Sequence, residues 1–514
     1  MFLRIFLSYL VVTCAQSKNN NRYPTLPEFT DVFQNQPFAS ADVGSPLILT
    51  DYIERGELDK AKKLSEVKLP GFNIESYSGF FRVNSTEDKK YSSALFFWFF
   101  PAEEYPSNAP VLLWLNAGLG SSSMTGLFQE NGPLQLNKNK KRQPLPYVEK
   151  RKTYWSKNHN VIYIDNPVGR GFSFAEDYDL YSRNKTQVGL NLYIALVQFF
   201  KVFNEYQRND FFITGETYIG QFGTSLGFNI YQNNPVTDIK INLKGFALGN
   251  DLTDPLYMML YSKYLYQIGL IDDNGRKLFE YKEKQITDLI FQKKLGEAFD
   301  VYDELIVGTF HDKTIYNTLT NFTNLYNYQV PIADNTPNTL MVELFNTTTF
   351  RKAVHVGNTT YDTSVTEDVF LKNDIMGSVK GNIENILDSR NPSYRLGGCY
   401  CLFDYLGCQI HTLKLPPWYS SNLELWQHVF DTCIIGGGCA SFGHSCFGGH
   451  GKRSSPDDPD TLAASDDYFA APPLSPQLKD AYFYSPRRGQ AFLAGVPLSR
   501  GSRPRTTLWR EATL

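Results

Sequence analysis

A chain of 514 residues, 42% hydrophobic and 15% aromatic, can bury a large core, and its length suggests one big domain with extras. The formal net charge of −3 gives no basic surface from which to propose nucleic acid as a partner, and describes a soluble globular protein.

Residues 1–15, MFLRIFLSYLVVTCA, carry a charge at Arg4, a short apolar run from Ile5 to Val12, and small residues at Thr13 and Ala15. This pattern predicts a secretory signal peptide, too short to span a bilayer, and no other run has the length and apolarity to do so. Residues 16–45 begin rich in Asn and Pro and read as a disordered or propeptide-like lead-in. Asn-X-Ser/Thr sequons follow at Asn84, Asn184, Asn321, Asn346 and Asn358. A single sequon can be silent, but five behind a signal peptide predict a glycoprotein that is secreted or lysosomal.

From Ser76 the pattern turns strand-like: SGFFRV, ALFFWFF and VLLWL, then VIYID, FFITG and KGFALGN, with the helical stretch LNLYIALVQFFKVF among them. Strands alternating with helices predict the α/β class, a mostly parallel sheet with helices on both faces and catalytic groups at the C-terminal strand ends. In Phe211–Gly227, FFITGETYIGQFGTSLG, an apolar run meets a glycine-flanked turn and continues as a helix. This is the pattern of a nucleophile elbow with Thr217 at its apex, although Gly215 and Gly220 could equally punctuate an ordinary strand–helix junction. Residues from about 256–338 become charged with helical period, which predicts an inserted helical cap or, by periodicity alone, a plain surface subdomain. After Arg390 the composition breaks. Residues 391–437 are a junction containing Cys399, Cys401, Cys408 and Cys433, for which a secreted context favours disulfides over zinc. Pro, Ser, Asp and Arg dominate 454–514, predicted to be a disordered tail.

Three stretches in order, VLLWLNAGLGSSSMTGLFQENGP (Val111–Pro133), HNVIYIDNPVGRGFSF (His159–Phe174) and GETYIG (Gly215–Gly220), resemble the serine carboxypeptidases, in particular the vitellogenic-like branch. The resemblance runs from about Pro46 to about Ser389. It implies an α/β-hydrolase domain over 46–390, whose helical cap forms one wall of a cleft for peptides. It places the nucleophile at Thr217 and the oxyanion donors at the backbone N–H groups of Gly118 and Tyr218. It further implies that Trp114, Asn116, Glu130 and Glu216 bind the free C-terminal carboxylate of a peptide, with no cofactor and no metal. Carboxylates can bind a carboxylate only by sharing a proton, so burial and mutual repulsion are expected to raise the Glu130/Glu216 pair. Read without the motifs, both are ordinary surface or capping glutamates.

The chain departs from the family pattern in several places. Ala117 stands for a Gly, Leu119 for a Pro and Thr217 for the Ser nucleophile, and Ile219 occupies a position where the turn takes a small residue. No stretch after Ser389 matches the family's late Asp and His motifs. Asp404 and His428 are the nearest candidates, and His159 and His355 read as structural. Without base and orienter, the remaining rate is roughly 10³–10⁴ over water. The C-terminal part of the fold is expected to be missing, leaving an open apolar sheet edge. The functional readings are therefore an impaired or inactive serine-type carboxypeptidase, or a non-catalytic secreted protein that binds peptide C-termini.

Residues 438–453, GCASFGHSCFGGHGKR, resemble the CCHamide neuropeptides. The resemblance implies a ring closed by Cys439 and Cys446, Gly451 as amide donor, Lys452-Arg453 as a dibasic processing site, and a receptor as partner of the released peptide. A chance Cys/His/Gly cluster or a metal-binding tract is the alternative. Only Arg395 and Lys414 lie between Arg390 and Gly438, so no dibasic site frees the peptide's N-terminus, which suggests two joined coding units.

Overall fold

The alternating run of the second strand dictates the layering. In β2 (Ser92–Phe100), Leu95, Phe97 and Phe99 face one apolar cluster, while Phe96, Trp98 and Phe100 face another. A strand apolar on both faces must be covered on both. The chain is represented by a computed structural model that describes residues 43–70, 73–117, 121–137, 147–325, 327–362, 366–388, 395–400 and 409–410, all within one compact unit.

The large sheet contains β1 (Tyr77–Ser85), β2, β3 (Val111–Ala117), β6 (Asn160–Ile164), β8 (Phe211–Thr217), β9 (Leu243–Gly249), β10 (Arg395–Tyr400) and β11 (Gln409–Ile410), ordered β1-β2-β6-β3-β8-β9-β10-β11. A short β7 (Phe174–Ala175) pairs with β2, and β4 (Leu134–Asn137) with β5 (Tyr147–Lys150) forms a separate hairpin. The strands from β6 to β10 pair in parallel and both edges pair antiparallel. Helices α1 (Lys185–Val202) and α2 (Ile219–Asn233) cover one face. Phe128, Phe345 and Phe350 belong to the cluster on the other.

Among the described residues the sheet continues past β9 before it reaches its edge. Strand β10 pairs with β9 from Arg395↔Gly245 to Cys399↔Gly249, so part of the presumed junction continues the sheet. The residue types of RLGGCY gave little strand signal; the parallel edge of β9 supplies the partner.

The predicted cap is helical: α3 (Tyr261–Gln267), α4 (Asp273–Phe291), α5 (Leu295–Tyr302) and α6 (Thr336–Phe345). Among the described residues no helix is long and apolar enough to cross a membrane. The signal peptide, lead-in residues 16–42, Gly118, Asp404, His428, Cys439, Cys446 and the segments 438–453 and 454–514 lie outside the described residues.

Candidate active site

Strands β3 and β8 run side by side, and their register sets Asn116 opposite Glu216 and Ala117 opposite Thr217. Parallel pairing brings these residues together at the C-terminal sheet edge, where the motifs were expected to meet. Thr217 ends β8 with φ +58°, in the left-handed region that a β-branched residue rarely adopts. Tyr218 follows and α2 begins at Ile219, which is the strand–turn–helix form of an elbow. The Thr217 carbonyl accepts Leu252 N–H at 2.9 Å, anchoring the strained residue to the segment after β9. A Cβ on Gly215 would stand 2.1 Å from Leu115 O, so the approach of β3 to β8 requires glycine here. One expected oxyanion donor, at Tyr218, therefore sits at the elbow, and the other, at Gly118, is outside the described residues.

Beside the elbow lies a hydrogen-bonded chain of polar side chains. Trp114 Nε1 donates to Asn116 Oδ1 at 2.6 Å, and Gly126 N–H donates to the same oxygen at 2.9 Å. With Oδ1 occupied twice, the Asn116 amide is turned so that Nδ2 donates to Glu130 Oε1 at 3.1 Å. Asn116 N–H is itself held by Ser123 Oγ at 3.1 Å. Glu130 ends a single π-turn, Gly126–Glu130, closed by Asn131 N–H donating to Gly126 O at 3.0 Å.

Burial pushes Glu130 up to about 7, against the hydrogen bond from Asn116 and the charge of Arg151. Of the two expected causes, desolvation by burial is the largest force acting on Glu130. Glu216 is half-buried one strand away, opposite Asn116. A carboxyl that keeps its proton into the neutral range can donate to an incoming carboxylate, which is the chemistry this arrangement offers.

Three groups escaped the sequence reading. Asp165 is fully buried and accepts from Ser122 Oγ at 2.5 Å, Ser123 N–H at 3.0 Å and Phe172 N–H at 2.8 Å, tying the segment after β3 to the segment after β6. Burial lifts it to about 6. Asp251 follows β9, is 2% exposed and is lifted by burial to about 7. Arg151 lies in KRKTYW, whose charge pattern looks like a solvated turn. The first two were visible only as motif letters, and nothing local marked them as buried.

No described histidine serves Thr217. His159 precedes β6 and so stands at the opposite end of the sheet from the elbow. His311 Nδ1 lies 2.8 Å from Asp303 Oδ2 in the cap. His355 Nδ1 lies 3.2 Å from Ser78 Oγ and burial lowers it to about 4, consistent with a structural role. Among the sequon residues, Asn84, Asn321, Asn346 and Asn358 are exposed. Asn184 is half-buried and caps α1, its Oδ1 accepting Gln187 N–H at 2.9 Å.

Comparison with known proteins matches residues 66–397 to the serine carboxypeptidase family model and residues 428–487 to the neuropeptide CCHamide 1/2 model. A venom serine carboxypeptidase of Apis mellifera is 44% identical over 358 residues, 68% of this chain and 74% of that protein. A vitellogenic carboxypeptidase of Aedes aegypti is 35% identical over 356 residues, 69% and 72% of the two chains. The crystal structure of a prohormone-processing carboxypeptidase from Saccharomyces cerevisiae superposes with a TM-score of 0.54 at 20% identity, covering 65% of this chain and 77% of that one, a likeness of fold.

Proposed function

The chain belongs to the serine carboxypeptidase family, and from that premise we propose that it binds peptides by their free C-terminal carboxylate while acyl transfer at Thr217 is impaired or absent. The observation that carries this reading is the chain Trp114–Asn116–Glu130, with Asn116 aimed by two donors and Glu130 protonated into the neutral range. Such a site presents an amide N–H and a carboxylic O–H, both donors, to a terminal carboxylate. The impairment rests on Thr217, whose β-methyl restricts the hydroxyl at a strained backbone position, and on the want of a described His beside it.

Calorimetric titration with an N-blocked dipeptide and its C-terminal amide tests the binding. Tight binding of the free acid with none of the amide is expected; equal affinity for both would remove the carboxylate reading. Release of the C-terminal amino acid, assayed for the unaltered chain, Thr217→Ser and Thr217→Ala, tests the impairment. Turnover at enzyme-like rates that Thr217→Ala abolishes would overturn it.

A second product is favoured by the match over residues 428–487. Residues 438–450 form a CCHamide-like peptide, amidated at His450 and read by a receptor, encoded separately from the carboxypeptidase-like part. Mass spectrometry of neural or gut extract should find this amidated peptide, with separate cDNAs for the two halves. A single abundant transcript across the junction, without the peptide, would count against it.

A further inference from the structure

Arg151 follows β5 and reaches the turn that carries Glu130. Its Nε donates to Gly132 O at 3.0 Å, and its Nη2 donates to Phe128 O at 2.8 Å and to Leu134 O at 3.3 Å. The Arg151 N–H adds a bond to Pro133 O at 2.7 Å. These carbonyls bracket Glu130 on both sides. They belong to the end of a π-turn and the chain leaving it, where helical partners run out. A planar guanidinium can bind several such acceptors at once, which an ammonium on a flexible stem cannot do in the same geometry.

We propose that Arg151 is the positioning residue of the carboxylate site: its fork fixes the turn that presents Glu130, and its charge acts on the Glu130 carboxyl. The titratable and charged groups around Glu130 are Arg151, Tyr163 on β6 and Glu216 on β8. Tyr163 donates to Asn131 Oδ1 at 2.8 Å, and burial keeps its phenol protonated well above the ordinary range. The Arg151 charge favours the Glu130 carboxylate, opposing the burial that disfavours it. Removing that charge leaves burial unopposed, so Glu130 holds its proton to higher pH. A link to peptide binding rests on the reading given above; the link between Arg151 and Glu130 does not.

The Trp114 indole N–H, bonded to Asn116 and through it to Glu130, reports the carboxyl without any ligand. In the full chain, the ¹⁵N–¹H indole signal of Trp114, assigned with Trp114→Phe, is followed against pH, with Glu130→Gln as the flat control. Arg151→Gln is expected to move the midpoint upward. Arg151→Lys, which keeps the charge and loses the fork, is expected to leave it near that of the unaltered chain while weakening dipeptide binding several-fold. An unchanged midpoint in Arg151→Gln, with only a lower melting temperature, would overturn the charge role. Full dipeptide affinity in Arg151→Lys would overturn the fork role. Should Arg151→Gln not fold, an upward midpoint in Arg151→Lys still overturns the charge role and an unmoved one supports it. If no form of the protein binds the dipeptide but the Arg151→Gln midpoint rises, the carboxylate-binding reading falls and the Arg151–Glu130 link stands.

Discussion

Gly223 makes room for Ile219: a Cβ on Gly223 would stand 2.8 Å from Ile219 Cδ1 and 2.9 Å from Ile213 Cγ2. Ile219 is fully buried at the first turn of α2, and Gly223 lies one turn on, on the same helix face. The bulky residue at the elbow is therefore accommodated by a glycine four residues later, which removes the steric objection to this turn. Gly223→Ala is expected to destabilise the fold by about 1–3 kcal/mol through overpacking. In Ile219→Ala the same substitution should cost less, with the 2.9 Å approach to Ile213 Cγ2 remaining. A double-mutant cycle by urea denaturation measures the coupling, and additivity within about 0.5 kcal/mol would dismiss the relationship.

Strain at Thr217 gives a second expectation. A β-branched residue at φ +58° is held against its preference by the Leu252 bond and by packing. Thr217→Gly should stabilise the protein by about 1 kcal/mol, read as a rise in melting temperature. A fall in melting temperature would place no strain at the elbow.

The π-turn can be tested by a single methyl group. A Cβ on Gly126 would lie 2.1 Å from Trp114 Nε1 and 2.6 Å from Asn116 Oδ1. Gly126→Ala should therefore break the Trp114–Asn116–Glu130 chain and weaken dipeptide binding by about tenfold or more, roughly one to two hydrogen bonds' worth. Retained affinity in a folded Gly126→Ala protein would show that the chain does not hold the ligand.

Peptide binding should also follow the Glu130 proton. Affinity is expected to be full in acid and to fall as pH rises through about 7, where Glu130 loses the proton it donates. Glu130→Gln, which keeps a donor at every pH, should flatten this profile. A profile of the same shape in the variant would assign the pH dependence to another group.

Stability should fall with rising pH for the same physical reason. Burial raises Asp165 to about 6 and Asp251 and Glu130 to about 7, so between the ordinary carboxyl range and those values the folded state binds more protons than the unfolded one. Their contribution is complete below the ordinary carboxyl range and is lost as pH rises through 6 to 7. Urea midpoints at about pH 4.5 and about pH 8 should differ in that direction, and Asp251→Asn should shrink the difference.

Much of this protein was legible in the order of its residues. Apolar runs with β-branched and aromatic character marked β1, β2, β3, β6, β8 and β9, because burial on both faces leaves a continuous hydrophobic stretch that periodicity can detect. The glycines around Thr217 marked the elbow, because close backbone approach excludes a Cβ. What the order of residues could not reach was decided by neighbours distant in sequence. Strand β10 has little propensity of its own and exists through the free edge of β9. Whether Glu130 was a solvated surface residue or a protonated buried acid depended on how deeply the fold buries it against the opposing pull of Asn116 and Arg151, since desolvation is a property of surroundings and not of residue type. Ile219 looked incompatible with a tight turn until helix geometry set Gly223 beneath it, because steric fit is fixed by which atoms meet in space.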